Sequence, residues 1–492
     1  MNAPREILDR LEAMGVVATG VADDSRQVRP GDLFLAYPGD LADGRRYIPD
    51  ALSRGAVAVI WQPGGDFVWN EEWAVPQLSH PALRPLAGPL AHTVHGHPSD
   101  ALSLIAITGT NGKTTISQCL ARAYPKPCAI IGTLGAGFPD AMTETGFTTP
   151  EATTLMRYLA EFRMAGAVAC ALEASSIGIE EGRMNGARVD VAVFTNFTRD
   201  HLDYHGSMAA YAEAKEKLFH WPRLRTAIVN LDDEFGRQLM RSTTALRVLG
   251  YSIGEPRRDY HAVVRAEELV DTPFGQRFNL VLPNGRAVVD TTLVGRYNIA
   301  NLLAIAAVLF DAGLSAAEVA QRLSELTPPP GRMERVGGND EPLVVVDYAH
   351  TPDALENALV ALREVATSRA GRLSVVFGCG GDRDKGKRPQ MGALAERCAD
   401  RVLVTSDNPR SENPQAIVDE IVAGMAHART ELDRAAAIAR AVLEADARDV
   451  VLLAGKGHEP YQDMGGVRLP FSDVEQAKAA LAQWRSKMED AA

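Results

Sequence analysis

Gly109, Gly112, Lys113 and Thr114 stand at a junction suited to holding a phosphate. The apolar, β-branched run from Leu104 to Ile107 reads as a buried strand, and Ile116, Cys119 and Leu120 recur at helical spacing after it. Between them lies the loop Gly109-Thr110-Asn111-Gly112. Glycines let backbone N–H groups turn onto phosphate oxygens, and the start of the helix adds its dipole. Lys113 would reach the outer phosphates of a nucleoside triphosphate, and the Thr114 hydroxyl would ligate Mg2+. Ile107 departs from the usual pattern, which has a glycine there.

Other polar residues follow apolar runs in the same way. Glu173 ends the run Ala167–Leu172 and reads either as a charge escaping to solvent or as a Mg2+ ligand facing the phosphate loop. His201, Asp203 and His205 follow Val189–Phe194. They suggest a hydrolytic metal centre or, more strongly, one histidine in a Mg2+ shell. On the helix expected from Ser207 to Phe219, Lys215 shares the inward stripe of Met208, Tyr211 and Leu218, while Lys217 points away. A lysine on an apolar stripe is a snorkelling stem, or a modified or ligating group. Asn298 and Asn301 would read a base or cap a helix, and Arg332 and Arg335 would bring charge to a phosphoryl-transfer site. Arg383 and Arg410 would grip a substrate carboxylate.

The elements that must position these groups divide the chain. With 492 residues it is too long for one core, and its 46% apolar and 23% charged content is that of a soluble globular protein. A net charge of −12 argues against a nucleic-acid footprint. Five cysteines without CxxC spacing read as reduced thiols of a cytoplasmic protein, and no apolar run approaches the ~20 residues of a membrane span. Residues 4–15 predict a short amphipathic helix opening a small α/β unit, with His92 to Ser99 as its exit linker. From residue 100 strand-loop-helix units predict a mostly parallel sheet, and Pro328-Pro-Pro330 makes a stiff joint to a third α/β unit. The tail after Lys487 is expected to fray. The polar clusters after Leu172, Val346, Phe377, Thr405 and Ala454 all sit past strand ends, where open α/β sheets bind ligands.

Taken together, Thr108–Thr115, Glu173–Ser176, Asp200–Gly206 with Lys215, Gly331–Arg335 and Asp347–His350 resemble the motifs of the Mur ligases of peptidoglycan synthesis. That family's phosphate loop lacks the first glycine, which accounts for Ile107. Asp43–Pro49, Gly380–Pro389, Asp407–Arg410 and Gly455–Glu459 point within the family to the members that add diaminopimelate. The resemblance implies an α/β fold of three domains. Residues 1–97 would bind a uridine nucleotide, 98–330 would form a central P-loop-type parallel-sheet domain for ATP, and 331–492 a Rossmann-like domain for the amino acid.

It also implies roles. Gly109, Thr110, Asn111, Gly112, Lys113, Thr114, Thr115, Asn298 and Arg332 would bind ATP. Thr114, Glu173, His201 and a carbamylated Lys215 would hold Mg2+. Ser25, Thr148, Thr149, Ser175, Glu181 and Arg183 would hold UDP-N-acetylmuramoyl-L-alanyl-D-glutamate, and Arg383, Asp407, Asn408, Pro409, Arg410, Gly455 and Glu459 would hold meso-diaminopimelate. Lys113, Glu173, His201, Lys215, Arg332, Asp347 and His350 would be the catalytic set. Ile177 and Glu181 stand where related sequences often have histidine and glutamine. The enzyme is expected to be a cytoplasmic monomer, binding neither nucleic acid nor membrane. The rival expectations are a lysine-adding ligase, a folylpolyglutamate synthase-like ligase, a nucleotide switch and a zinc hydrolase.

Overall fold

The protein is described by a computed structural model covering residues 3–39, 42–254, 263–272 and 275–491. Over these residues the strands form sheets of four, eleven, six and two strands. The first three are the centres of successive α/β units.

The Ala3–Ala13 helix buries Ile7 and Leu11 against the first unit, whose four strands, from Gly20–Ala22 to Gln77–Ser79, pair in parallel. The segment expected to be a linker is packed instead. His92 lies on the Ala87–Val94 helix, 8% exposed, and Pro98–Ala101 is a short helix with Ser99 fully buried. Its polar residues bury because they bond one another, His92 Nε2 lying 2.7 Å from Ser99 Oγ.

The second unit is organised around Ser103–Thr108, which pairs in parallel with Ala169–Glu173 on one side and Val191–Phe194 on the other. The strand order reverses there, so a crevice opens beyond the carboxyl ends of these strands. The parallel core was anticipated, but both edges carry antiparallel extensions. Gly135–Phe138 and Ala141–Thr143 extend one edge, and Gly275–Leu282 and Gly285–Thr291 the other. Behind the sheet, Arg296–Asp311 is a helix that buries Ile299, Leu302, Leu303 and Ile305.

In the third unit Leu343–Asp347, Val450–Ala454, Leu373–Phe377 and Arg401–Val404 run parallel in that spatial order, with Glu334–Gly337 antiparallel at one edge. Arg434 and Asp473, both fully buried, form a bidentate pair at 2.8 and 2.7 Å. Arg434 also donates to the carbonyls of Ser406 and Ala454, so it holds two strand ends together. The C-terminal segment does not fray after Lys487. The Asp473–Ala491 helix runs through it, and Ala477, Ala480, Leu481 and Trp484 face the core.

Candidate active site

The phosphate loop is shaped by the next strand's exit. Gly109 has φ +146°, and a Cβ there would sit 1.8 Å from Thr195 Oγ1. At Gly112, with φ +88°, a Cβ would fall 2.5 Å from Asn301 Oδ1. Thr110 donates its amide to Asn196 O and its hydroxyl to Thr198 O, and Asn111 donates its amide to Asn196 Oδ1 at 2.9 Å. The loop is therefore preformed by the Thr195–Thr198 segment. The Lys113–Ala123 helix starts directly behind it, with Thr114 and Thr115 buried in its first turn.

Lys113 Nζ donates to the carbonyls of Gly109 and Thr110, both at 2.8 Å. Lys215 Nζ, 1% exposed as a residue, donates to the same Gly109 carbonyl at 3.0 Å and stands 4.3 Å from the Tyr211 ring centre. Burial, aided by Lys113, pushes the Lys215 ammonium well below the ordinary lysine range. Two lysines on one carbonyl in a dry site favour a neutral amine on the more buried one. The helix carrying Lys215 runs from Met208 to Glu216 with Ser207 as its N-cap, and Lys217 begins a 3-10 turn and points outward to Glu180.

Glu173 is wholly buried, not at the solvent. Its Oε2 accepts from Thr114 Oγ1 at 2.9 Å and Thr133 Oγ1 at 3.0 Å, and its Oε1 from Ser117 Oγ and the Thr133 amide. Thr133 and Ser117 were not singled out from the sequence. The hydroxyl spacing is visible there, but the pairing of separate strands is not. His201 lies 3.5 Å from Asp200 and feels the charges of Lys113 and Lys215. Burial lowers its pKa, so it is neutral near pH 7. Of the four residues expected at a metal, Thr114 and Glu173 are in contact, while His201 and Lys215 each lie near Lys113 without a bond to that pair. His205 does not join His201, because its Nε2 pairs with Ser176 Oγ at 2.9 Å. The hydrolase geometry is absent from this cluster.

Arg332 arrives from the third unit. Its Nη2 donates to Thr114 Oγ1 at 3.2 Å and its guanidinium lies 4.5 Å from the Tyr348 ring centre. Arg335 does not follow it, being exposed on the Glu334–Gly337 edge strand. Asp347, its carboxyl pushed up by burial, accepts the Met333 amide at 2.8 Å and so fixes the turn that carries Arg332. His350 Nδ1 donates to Tyr348 O at 2.8 Å, and burial with Lys387 nearby lowers it to about 4. Burial alone would raise Asp200, but His201, His350 and Lys387 outweigh it and hold its carboxyl at about 2. Lys387 is a further cation that sequence reasoning missed. Asn298 does not cap its helix but donates Nδ2 to Val294 O at 2.9 Å, whereas Asn301 abuts the phosphate loop. A second bond between the units runs from Asn111 Nδ2 to Asp353 Oδ2 at 3.0 Å.

Thr148, Thr149, Ser175, Glu181 and Arg183 gather beside Glu173. Thr148 Oγ1 is 3.0 Å from Thr133 Oγ1, and Thr149 Oγ1 donates to the Glu173 carbonyl at 2.8 Å. Ser175 caps the Ser176–Glu180 helix, and Arg183 joins Thr149 O to Glu181 Oε2. Ser25 is apart from them on the first unit, its hydroxyl bonded to Asp50. Its turn is nevertheless docked on the second unit, since Asp23 and Gln27 accept from Thr153 and Thr154.

In the third unit a polar pocket forms past the strand ends. Lys456, fully buried, lies 3.0 Å from Asn408 Oδ1, 3.1 Å from Glu459 Oε2 and 3.8 Å from Asp407 Oδ1. Burial and the Asp407 charge raise Glu459. A Cβ at Gly455 would meet Asp407 Oδ2 at 2.5 Å, so the glycine lets that carboxylate in. Pro409 O accepts the Glu412 amide, and Arg410, in the left-handed region at φ +51°, donates Nη1 to Gly381 O at 2.6 Å. Arg383 stands at the rim, 55% exposed and 3.9 Å from Asp203 of the second unit. Lys456 is the residue here that the sequence did not flag, although it lies inside the Gly455–Glu459 cluster.

A phosphate loop on a parallel sheet, met by an arginine from a Rossmann-like unit with its own charged pocket, defines a ligase that activates one substrate with a nucleotide and presents a second. Residues 17–93 match the catalytic domain of the Mur ligase family, 107–309 the Mur ligase middle domain, and 331–457 the Mur ligase glutamate ligase domain. The chain belongs to the Mur ligase family. It is 50% identical to the UDP-N-acetylmuramoyl-L-alanyl-D-glutamate–2,6-diaminopimelate ligase of Chromobacterium violaceum, with 96% of each chain covered. The ligase of the same name from Pseudomonas aeruginosa is 49% identical, with 94% of each covered. A solved structure of a ligase of that name matches with a TM-score of 0.66 at 37% identity, over 95% of each chain. The MurF ligase from Thermotoga maritima in complex with ADP shares the fold, with a TM-score of 0.67 at 17% identity over 96% of this chain and 99% of that one.

Proposed function

We propose that this protein joins meso-2,6-diaminopimelate to the glutamyl side-chain carboxylate of UDP-N-acetylmuramoyl-L-alanyl-D-glutamate, using ATP, in peptidoglycan synthesis. The names of relatives near 50% identity support the reaction. The observation that carries it is the Asp407–Asn408–Lys456–Glu459 cluster beside Arg410, in the unit whose Arg332 reaches the phosphate loop. Carboxylates suit an amino acid's ammonium groups and a guanidinium its carboxylate. We assign residues 1–97 to the uridine nucleotide, 98–330 to ATP and 331–492 to the amino acid. Among the described residues no helix is long and apolar enough to cross a membrane. We place the reaction in the cytoplasm, on a monomer.

In the first step the glutamyl carboxylate oxygen attacks the γ-phosphorus of ATP. The bond to the β,γ-bridging oxygen breaks, leaving ADP and an acyl phosphate. Two anions must meet, so fixed positive charge dominates this step. Lys113 would leave the loop carbonyls and donate to the outer phosphates, and Arg332 Nη2 lies 3.2 Å from Thr114 Oγ1 at the same loop. A neutral diaminopimelate amine then attacks the acyl carbon, and phosphate leaves with its electron pair. His201, held neutral near pH 7 by burial, is available as a proton acceptor, whereas His350, lowered to about 4, is too weak a base for that role.

Mg2+ fits the Thr114–Glu173 pair, two hard oxygens 2.9 Å apart at the phosphate loop. Bound there with the nucleotide, it would neutralise charge on the transferred phosphoryl group. Lys215 would serve this site as a carbamate. Its neutral amine adds to the carbon of CO2 and loses one proton, which leaves a carbamate anion in the buried site beside the Lys113 ammonium. The anion would then balance Lys113, whose ammonium shares the Gly109 carbonyl with the Lys215 amine.

The test is phosphate release from Mg2+-ATP and the UDP-dipeptide with a panel of amino acids. Diaminopimelate should support turnover far above lysine, ornithine or glutamate. Equal turnover with lysine would reject the substrate assignment.

A further inference from the structure

His92, His97 and Asp100 meet where the first unit passes into the second, outside the groups assigned to the reaction. His92 is buried on the Ala87–Val94 helix, His97 lies in the left-handed region at φ +55°, and Asp100 is in the Pro98–Ala101 turn. One ligand atom from each of the three lies within 4.8 Å of the others. His92 Nδ1 and His97 Nδ1 are 3.1 Å apart. Two imidazole nitrogens at about 2.0–2.1 Å from one tetrahedral Zn2+ stand roughly 3.3 Å apart. The pair is therefore held close to the bite of a metal chelate.

The surroundings match. A ligating imidazole needs its second nitrogen oriented by an oxygen. His92 Nε2 lies 2.7 Å from the hydroxyl of fully buried Ser99, which also accepts the Arg188 amide at 2.9 Å. With Nδ1 on a metal, Nε2–H donates to that hydroxyl. The left-handed turn at His97 is fixed by its amide bond to His92 O at 2.8 Å and by its carbonyl accepting the Asp100 amide at 3.1 Å. His97 and Asp100 are exposed, which leaves a coordination position for water.

We propose that His92 Nδ1, His97 Nδ1 and the Asp100 carboxylate bind a divalent nitrogen-preferring metal ion, Zn2+, that staples the connection between the first and second units. Two imidazoles and one carboxylate favour Zn2+ over Mg2+, which takes oxygen ligands and keeps its waters.

The experiment titrates Zn2+ alone into metal-free, full-length protein, His97→Ala and Asp100→Asn, by calorimetry and by thermal melting, without Mg2+ or nucleotide. Any zinc taken up at Glu173 or His201 is common to all three proteins. The expected result is one more equivalent in the unsubstituted protein than in His97→Ala, with Asp100→Asn binding that equivalent at least about tenfold more weakly. Zinc should raise the melting midpoint of the unsubstituted protein and not that of His97→Ala. Both variants, free of zinc, should keep their ligase turnover. Equal stoichiometry and equal melting shifts in all three, or no uptake by the unsubstituted protein, would overturn the proposal.

Discussion

Arg410→Ala should convert an enzyme selective for diaminopimelate into one that barely distinguishes it from lysine. The two amino acids differ at the far end, where diaminopimelate carries an additional carboxylate. Arg410 spends Nη1 on the Gly381 carbonyl at 2.6 Å, and a planar guanidinium has further N–H donors for a bidentate contact. The substitution has two effects. Losing the Gly381 bond costs about 1 kcal/mol of loop stability and acts on both amino acids alike. Losing the charged contact costs about 2–3 kcal/mol for this half-buried side chain and acts on diaminopimelate alone. The left-handed backbone at φ +51° strains arginine and alanine equally, so it drops out of the comparison. The net expectation is a fall in kcat/KM of roughly 30- to 150-fold for diaminopimelate beyond any fall for lysine. Arg410→Lys, which keeps charge but not the fork, should fall between. The assay is phosphate release with each amino acid at saturating ATP and UDP-dipeptide. Equal losses for the two amino acids would show that Arg410 only supports its loop.

Lys215→Ala should be nearly inactive, while Lys217→Ala, whose amine pairs with Glu180 on the outside, keeps most of its turnover; similar behaviour of the two would refute the carbamate. Thr133→Val removes the donor 3.0 Å from Glu173 Oε2 with little change of shape, and should raise the Mg2+ concentration needed for half-maximal turnover about 10–100-fold. His350 titrates near 4 when folded but near 6.5 when unfolded, so between these values the unfolded chain binds more protons. Its contribution is complete above pH 6.5 and is lost as pH falls toward 4. His350→Gln should therefore flatten the stability slope across that window in denaturant titrations, and an unchanged slope would reject it.

The site's local parts were legible because local chemistry sets them. Strand, glycine loop, Lys113 and helix are contiguous, and the 3.6-residue period alone separates Lys215 from Lys217. The α/β class followed from the same alternation. What stayed hidden is tertiary. Thr133 reaches Glu173 across neighbouring strands, Lys456 finds Asp407 and Asn408 from another strand end, and Arg434 meets Asp473 at a distance of 39 residues. The segment from His92 to Ser99 read as a linker because its composition is polar, yet paired polar groups bury readily. Arg335 and Arg332 look alike in sequence, but Arg332 sits in the bend before the Glu334–Gly337 strand, where Asp347 holds the Met333 amide, while Arg335 lies on that edge strand and is exposed.

Central to this account is transfer of the γ-phosphoryl group of ATP to the glutamyl side-chain carboxylate before the amide forms. The direct measurement uses UDP-dipeptide labelled with 18O in both oxygens of that carboxylate, turned over with Mg2+-ATP and diaminopimelate, followed by mass analysis of the phosphate released. Passage through an acyl phosphate places one carboxylate oxygen in each phosphate, so every turnover should yield singly labelled phosphate. Unlabelled phosphate, with amide product formed in equal amount, would contradict the account.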